Sequence, residues 1–390
     1  MKVLYLITVL APAGAEQSLV AMAPSLAERG VRLQVAYLRD RPGTVLPRQL
    51  EEAGVEVSSL VGVGGPHRRL QRIMGLVRAD RPDLIHTTLT EANILGRVTG
   101  ALTRTPVVSS LVNVSYGPEQ RGAPDASTLG LGLRHLLDVL TGWRVVRYHA
   151  VTELVAEVMA PRLRIPLSRI EVVPRGRDPE LLGRRSPERR ARARRALDVD
   201  DETALVVSVA HQDYQKGHDV LLKAVAAIRE RDGRVRLVIA GRPGDHTSAL
   251  EALVVQLGLQ TTVRFLGLRH DVPELLCAAD AFVLASRWEG MGGVLLEAMA
   301  LEAPIVVSDL PTLREAVPDE RYASLVPPEQ PGALAESILI TLADRAAATE
   351  RASRARQRFL DHYTVAQVAE RMVRFYEHAL EESRRPPQSV

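Results

Sequence analysis

Cysteine and lysine are almost missing from this 390-residue chain. The one cysteine, Cys277, excludes an internal disulfide and a thiolate metal cluster, and a reducing cytoplasm is the compartment expected. Only Lys2, Lys216 and Lys223 are lysine, against 47 arginines. With basic charge so skewed toward Arg, a given Arg says little about function and a Lys says more. A formal net charge of +3 is too small to argue for nucleic acid. It is unevenly spread: residues 1–180 hold 22 Lys and Arg against 17 Asp and Glu, whereas 181–390 hold 28 against 30. No apolar run reaches the roughly 18 residues that span a bilayer. The ten histidines show no paired metal-ligand spacing, so no metal site is expected. Without a Gly-x-Ser-x-Gly, a serine hydrolase finds no support.

What is present is a soluble globular composition, 46% apolar and 25% charged, in a chain long enough for two domains. Short apolar runs alternate with helical patterns. The first series of strands is expected at 3–8, 33–38, 84–87, 107–111, 145–151 and 170–173. Its helices fall near 16–29, 67–79, 91–103 and 152–160. The N-terminal run, which imitates a short signal peptide, is better explained as strand, glycine turn and helix. A second series begins at 205–209 and continues at 235–240, 263–266, 281–285, 305–308 and 324–326. Its helices fall near 217–231, 246–258, 272–278, 293–301 and 331–345. Alternating β and α implies parallel sheets covered on both faces, hence two doubly wound, Rossmann-like domains. The break at Pro174–Pro179 places the boundary near 180/181, giving domains 1–180 and 181–363. Ser186, Pro187 and Glu188 then open a basic helix whose arginines are expected on a solvated face. A last apolar-periodic helix spans about 364–381, and 382–390 is expected to be a disordered tail.

Open α/β sheets bind ligands beyond the carboxyl ends of their strands. One such segment stands out, Ala285-Ser-Arg-Trp-Glu289-Gly-Met-Gly-Gly-Val-Leu-Leu-Glu297-Ala-Met-Ala300. A strand ends, a glycine-bearing loop follows, and a helix starts near Gly292 or Gly293. Backbone N–H groups there suit a phosphate, glycines let it approach, and the helix dipole favours the anion. Glu289 and Glu297 suit hydroxyls better than a diphosphate. A ligand with phosphates between two polyols, such as a nucleotide sugar, fits. Lys216, in a loop before a second helix, is placed as a point charge for phosphate, and Gly217 permits the turn.

Two glutamates separated by seven residues around Gly-Gly-Val-Leu-Leu resemble the signature of retaining glycosyltransferases of the GT-B fold, glycosyltransferase family 4 in particular. Gly14-Ala15-Glu16 resembles that family's Gly-Gly-Ala-Glu loop. The run from His86 to Arg97 resembles its first-domain motif. Arg269-His-Asp271-Val-Pro273 and Ala279-Asp280 resemble the stretch that begins by contacting the nucleotide base. The resemblance covers nearly the whole chain in the family's order. It implies an α/β GT-B architecture, an acceptor-binding first domain joined by the last helix, and a donor-binding second domain facing it across a cleft.

Carried over by position, Glu289 holds donor-sugar hydroxyls and Glu297 the ribose. Lys216 and the backbone at Met291, Gly292, Gly293 and Val294 bind the diphosphate. The backbone at Leu268 and Arg269 meets the base. Gly14, Ala15, Glu16, His86 and Asn113 lie on the acceptor side of the cleft, although His86 is equally placed to cap its neighbours. The chain departs from the family twice. His211 stands where a second diphosphate-clamping Arg is usual, and Val112, followed by Asn113, stands where a His is common. The implied reaction is sugar transfer from a nucleotide diphosphate sugar, UDP before GDP, with retention of configuration and with no cofactor. The acceptor is a saccharide, lipid-linked or small-molecule hydroxyl. A nucleotide-sugar epimerase, a phosphorylase or a catalytically degenerate binding protein of the same fold are the alternatives. The basic segment 66–78 is a candidate for peripheral contact with anionic lipid, and nucleic acid is not expected as a partner.

Overall fold

The computed structural model describes residues 1–41, 43–117 and 128–384. The chain divides into two compact units, one built from the N-terminal part through Arg177 plus the segment from Thr364 onward, the other from Asp178 to Tyr363. The break falls a few residues before the expected 180/181.

The first unit holds a seven-stranded parallel sheet: β1 (Lys2–Val9), β2 (Arg32–Arg39), β3 (Glu56–Ser59), β4 (Leu84–Thr88), β5 (Val107–Leu111), β6 (Val145–Ala150) and β7 (Ile170–Val172), ordered β3-β2-β1-β4-β5-β6-β7. Alternation along β1 supplies both faces. Val3, Tyr5 and Ile7 join one core cluster and Leu4 and Leu6 the other. β3 is an addition to the sequence expectation; Glu-Val-Ser-Ser is short, polar and at the sheet edge, so it carries no apolar run. The helices Leu46–Glu52 and Thr128–Gly142 are additions too.

The last helix, Val365–Arg384, packs Val365, Val368, Ala369, Met372, Phe375, Tyr376 and Ala379 into the first unit's core. It runs three residues beyond the expected end, so Glu382–Arg384 belong to the helix and not to a tail. The rest of that expected tail, 385–390, lies outside the described residues. Chain entry is fixed at Gly176, where an added Cβ would come 2.9 Å from Val365 Cα, and the Val365 N–H donates to the Arg177 carbonyl at 2.8 Å.

The second unit holds six parallel strands: β8 (Ala204–Val209), β9 (Val235–Ala240), β10 (Val263–Gly267), β11 (Ala281–Leu284), β12 (Ile305–Ser308) and β13 (Ser324–Val326), ordered β10-β9-β8-β11-β12-β13. The basic helix Pro187–Ala196 starts as expected, with the Ser186 hydroxyl accepting from Arg189 N–H. Its arginines are a solvated face only in part: Arg192 and Arg195 are exposed, and the others turn inward. Arg194 is buried, and Arg194 and Arg190 donate to Asp280 at 2.9 and 2.6 Å, while Asp280 also accepts from Leu205 N–H at 2.9 Å. These bonds fasten the helix across the starts of β8 and β11, and the paired charges offset the cost of burying them. Among the described residues no helix is long and apolar enough to cross a membrane.

Candidate functional site

In each sheet the strand order reverses direction between two central strands, β1 and β4 in the first unit and β8 and β11 in the second. Such switch points leave a crevice at the strands' carboxyl ends. In the second unit, the loops leaving β8 and β11 are stitched to each other. Arg287 N–H donates to the Gln215 carbonyl at 2.8 Å, and the Gln215 amide donates to the Trp288 carbonyl at 2.6 Å. Arg287 forms a bidentate pair with Asp219 at 2.9 and 2.8 Å and lies 3.9 Å from the Tyr214 ring centre. Burial works against both charges, yet that pairing holds the guanidinium above its ordinary pKa and the Asp219 carboxylate below its own. Gly217 makes the approach possible: its φ is +62° and a Cβ there would collide with the Ala285 carbonyl oxygen.

This stitching brings two candidate residues together. Lys216 Nζ donates to Glu289 Oε1 at 2.6 Å across 73 positions of sequence, and the Ser286 hydroxyl donates to the same oxygen at 2.7 Å. Glu289 is buried. Gly292, three residues on, adopts φ +68° and opens the helix Gly293–Ala300, which has no side-chain cap and no acidic residue in its first turn. The helix start therefore presents backbone N–H groups and the positive end of its dipole. Glu297 is also buried, inside this helix, and Met291 is fully buried. The arrangement sets a cation and a buried carboxylate beside an uncapped helix start at one strand end, with a second buried carboxylate, Glu297, one turn into that helix. It can hold a phosphate next to groups that accept hydrogen bonds from hydroxyls.

Other candidates are placed differently. His211 follows β8, with Nδ1 3.9 Å from Asp213 Oδ2; the Arg242 guanidinium lies 3.8 Å from the same carboxylate oxygen. Arg242, which follows β9, was not singled out by the sequence, because one arginine among 47 has no contrast. Leu268 and Arg269 follow β10, and the Arg269 side chain pairs with Asp271 at 2.7 and 2.5 Å. His218, next to Lys216, was also missed. It is buried, and burial together with the Lys216 charge lowers its pKa to about 3, so the ring is neutral.

In the first unit, His86 is fully buried. Its Nδ1 pairs with Tyr376 Oη at 2.8 Å and its Nε2 with Ser110 Oγ at 2.7 Å. Ser110 Oγ also pairs with His149 Nδ1 at 2.9 Å, and His149 Nε2 with the Val173 carbonyl at 2.8 Å. Burial lowers His149 to about 4 and takes His86 well below its ordinary range. His86 is thus a core residue that caps its neighbours. Glu16 is buried as well. Gly14 lies under Arg175, whose Nη1 sits 2.7 Å from where a Cβ would be. Asn113 Oδ1 accepts from Val114 N–H at 2.9 Å. A pocket of about 420 Å³, counting space open to solvent, is lined by Tyr5, Ala15, Val112, His149, Arg175 and Met372 among others. Among the described residues no three His, Cys, Asp or Glu side chains converge as a metal-ligand set.

Comparison with known proteins finds a family match on each unit. Residues 12–181 match the family described as Glycosyltransferase Family 4, and residues 189–358 match Glycosyl transferases group 1. An uncharacterized glycosyltransferase of Methanocaldococcus jannaschii is 27% identical over 351 residues, covering 87% of this chain and 88% of that protein. A D-inositol 3-phosphate glycosyltransferase of Salinispora tropica is 36% identical over 187 residues, but the match spans only 44% of this chain and 38% of that protein. The crystal structure of Anabaena HepE with UDP-glucose superposes with a TM-score of 0.85 at 22% identity, covering 97% of this chain and all of that one. WaaG, a glycosyltransferase of lipopolysaccharide biosynthesis, gives 0.76 at 18% identity, over 96% and 99% of the two chains. The fold is therefore GT-B. With one family model on each unit, the chain belongs to the family 4-type glycosyltransferases.

Proposed function

We propose that this glycosyltransferase takes a UDP-sugar as donor and transfers the sugar, with retention of configuration and without a metal, to a hydroxyl of a saccharide, lipid-linked or small-molecule acceptor. The observation that carries the reading is the Lys216–Glu289 pair, held at 2.6 Å beside the uncapped start of the helix Gly293–Ala300. The β-phosphate of the donor meets that helix start and the Lys216 ammonium. Glu289 accepts from hydroxyls of the donor sugar, and Glu297 from those of the ribose. Bond cleavage puts negative charge on the leaving phosphate, where the fixed cation and backbone dipoles stabilise it without reorganising. The acceptor hydroxyl attacks from the leaving-group side and passes its proton to the leaving phosphate oxygen. UDP is favoured as the nucleotide because the HepE neighbour was crystallised with UDP and with UDP-glucose.

Position 211 is the chain's own variation on this scheme. Arg242 supplies a cation beside His211, close to the same aspartate, and stands in for the guanidinium that the family usually carries at 211. A screen of UDP- and GDP-sugars, reading nucleotide release with and without acceptors and binding by calorimetry, tests the reading. Micromolar binding of UDP or a UDP-sugar is the expected result. No binding and no turnover of any nucleotide sugar would overturn it.

A further inference from the structure

The two ends of helix Gly293–Ala300 are built differently. At its start, Gly292 turns at φ +68° and no side chain caps the backbone. At its far end, each of the last four carbonyls has a partner. Leu301 N–H donates to the Glu297 carbonyl at 3.0 Å, Glu302 N–H to Met299 at 3.2 Å and Ala303 N–H to Ala298 at 3.0 Å. The Ala300 carbonyl accepts from the Arg356 guanidinium. The bonds from Glu302 and Ala303 form a Schellman ending, whose left-handed residue is usually glycine. Here that residue is Glu302, at φ +51°. A residue with a Cβ keeps such a conformation where its surroundings over-determine it.

Arg185 supplies the surroundings. Its Nη1 donates to the Glu302 carbonyl at 2.9 Å and its Nη2 to the Ala279 carbonyl at 2.7 Å. Ala279 lies just before β11, the strand that leads into the Ser286–Glu289 loop. Because β11 and β12 are parallel neighbours, the helix between them runs back toward the start of β11. The candidate site therefore lies at one end of this strand–loop–helix unit, and one planar guanidinium closes the other. Burial lowers the Arg185 pKa, and both of its bonds go to neutral carbonyls. A cation so placed contributes geometry more than stability. Eight residues at about 1.5 Å each make the helix about 12 Å long. Leu295 to Ala300 are all buried, so the helix moves as one piece and a slip at its end is a slip at its start. Misplacement by about 1 Å is enough to cost about 10²-fold in rate.

We propose that Arg185, backed by Arg356, is a positioning residue for the donor: it sets how far the helix start stands from Glu289 and Lys216, and hence where the phosphate-facing N–H groups lie. This role rests on the donor reading given above, and neither arginine touches the ligand. Arg185→Lys keeps the charge and most of the stem but cannot bridge two carbonyls in a fixed plane. Arg185→Lys, Arg185→Ala and Arg356→Ala are compared with wild type by calorimetry with UDP, nucleotide release, denaturant midpoint and hydrogen exchange across Gly292–Ala300. For Arg185→Lys the expected result is a nearly unchanged midpoint, faster exchange in the helix, UDP affinity down about tenfold and kcat/KM down about 10²-fold. Arg356→Ala should show a smaller loss of the same kind, and it carries the test should Arg185→Ala fail to fold. A merely structural arginine would lower the midpoint and leave UDP affinity, kcat and the helix exchange of the folded protein at wild-type values. That pattern in Arg185→Lys and Arg356→Ala would overturn the proposal and leave the donor reading standing. Wild-type protein that binds no nucleotide would overturn the donor reading and the proposal with it.

Discussion

In the first unit the two central strands, β1 and β4, place Tyr5 and His86 in the interior, where Thr88, Ser110, His149 and Tyr376 answer them with neutral hydrogen bonds. In the second, the corresponding β8 and β11 end in loops joined by full charges, Lys216 to Glu289 and Arg287 to Asp219. The strand order at the two centres is the same. What differs is whether the polar groups sit inside the sheet or beyond its ends. Inside, desolvation forces neutrality, as the lowered histidines and the Tyr5 hydroxyl raised to about 12 attest. Beyond the strand ends, charges survive because each is paired or partly solvated. The first arrangement serves stability, and the second can meet a charged ligand.

The sharpest way to break that comparison is to remove the charge. Lys216→Ala should lower kcat/KM for the donor by about 10²–10³-fold, the scale of losing one fixed stabiliser of a leaving anion. It leaves Glu289 buried without its cation, so a conservative Lys216→Arg that restores part of the activity separates charge loss from misfolding. Steady-state nucleotide release measures both. Activity unchanged in Lys216→Ala would remove the pair from the site.

Acid should next act on the buried histidines. Their folded pKa values are lowered, His149 to about 4 and His218 to about 3, so below pH 6.5 the unfolded chain takes up protons that the folded chain refuses. Stability is therefore full above about pH 6.5 and falls as pH drops toward 4, by roughly 2 kcal/mol per such histidine at pH 5. Denaturant midpoints at pH 7.5 and 5 measure it. His149→Gln, which removes the imidazole from the first unit, should flatten the dependence and leave UDP affinity alone. A His149→Gln protein that kept the full acid sensitivity would show that the neutral network does not set it.

Much of this was legible in the sequence, for a physical reason. Parallel strands are buried on both faces, so Leu205–Val209 or Ala281–Leu284 stand out as continuous apolar runs, and phosphate-binding glycines need particular positions. The missing parts are those where the deciding contact is distant. Nothing local says that Lys216 meets Glu289, since their pairing depends on β8 lying against β11. Arg194 looked solvated because its aspartate lies 86 residues away. The helix Thr128–Gly142 carries Gly130 and Gly132, which weaken helical propensity, and its leucines face the wrong way for a core pattern.

Within the second unit, the two carboxylates should separate by ligand part. Glu297→Gln keeps the shape but weakens hydrogen bonds to ribose hydroxyls, so UDP affinity should fall by about tenfold. Glu289→Gln should cost turnover more than UDP affinity, because UDP carries no donor sugar. Calorimetry with UDP and with the intact donor distinguishes them. Equal effects of both changes on UDP would mean that the two glutamates do not divide the ligand as placed here.

The smallest expected effect is at position 211. The His211 imidazole lies 3.9 Å from Asp213, and Arg242 reaches the same carboxylate. His211→Arg would add a permanent charge at the crevice and should tighten UDP by a few-fold, at most about tenfold, since Arg242 already supplies part of the field and Asp213 would claim part of the new one. The single change cannot distinguish a missing clamp from a general gain of positive charge. Combining it with Arg242→Ala can. If Arg242 stands in for position 211, Arg242→Ala alone should weaken UDP, and His211→Arg should recover most of the loss, giving coupling beyond the simple sum. Strictly additive effects would mean that the two positions act on the diphosphate independently. Loss of turnover in His211→Arg, with donor affinity intact, would instead assign the imidazole its own part in the reaction, one that a guanidinium cannot play because it never gives up its proton.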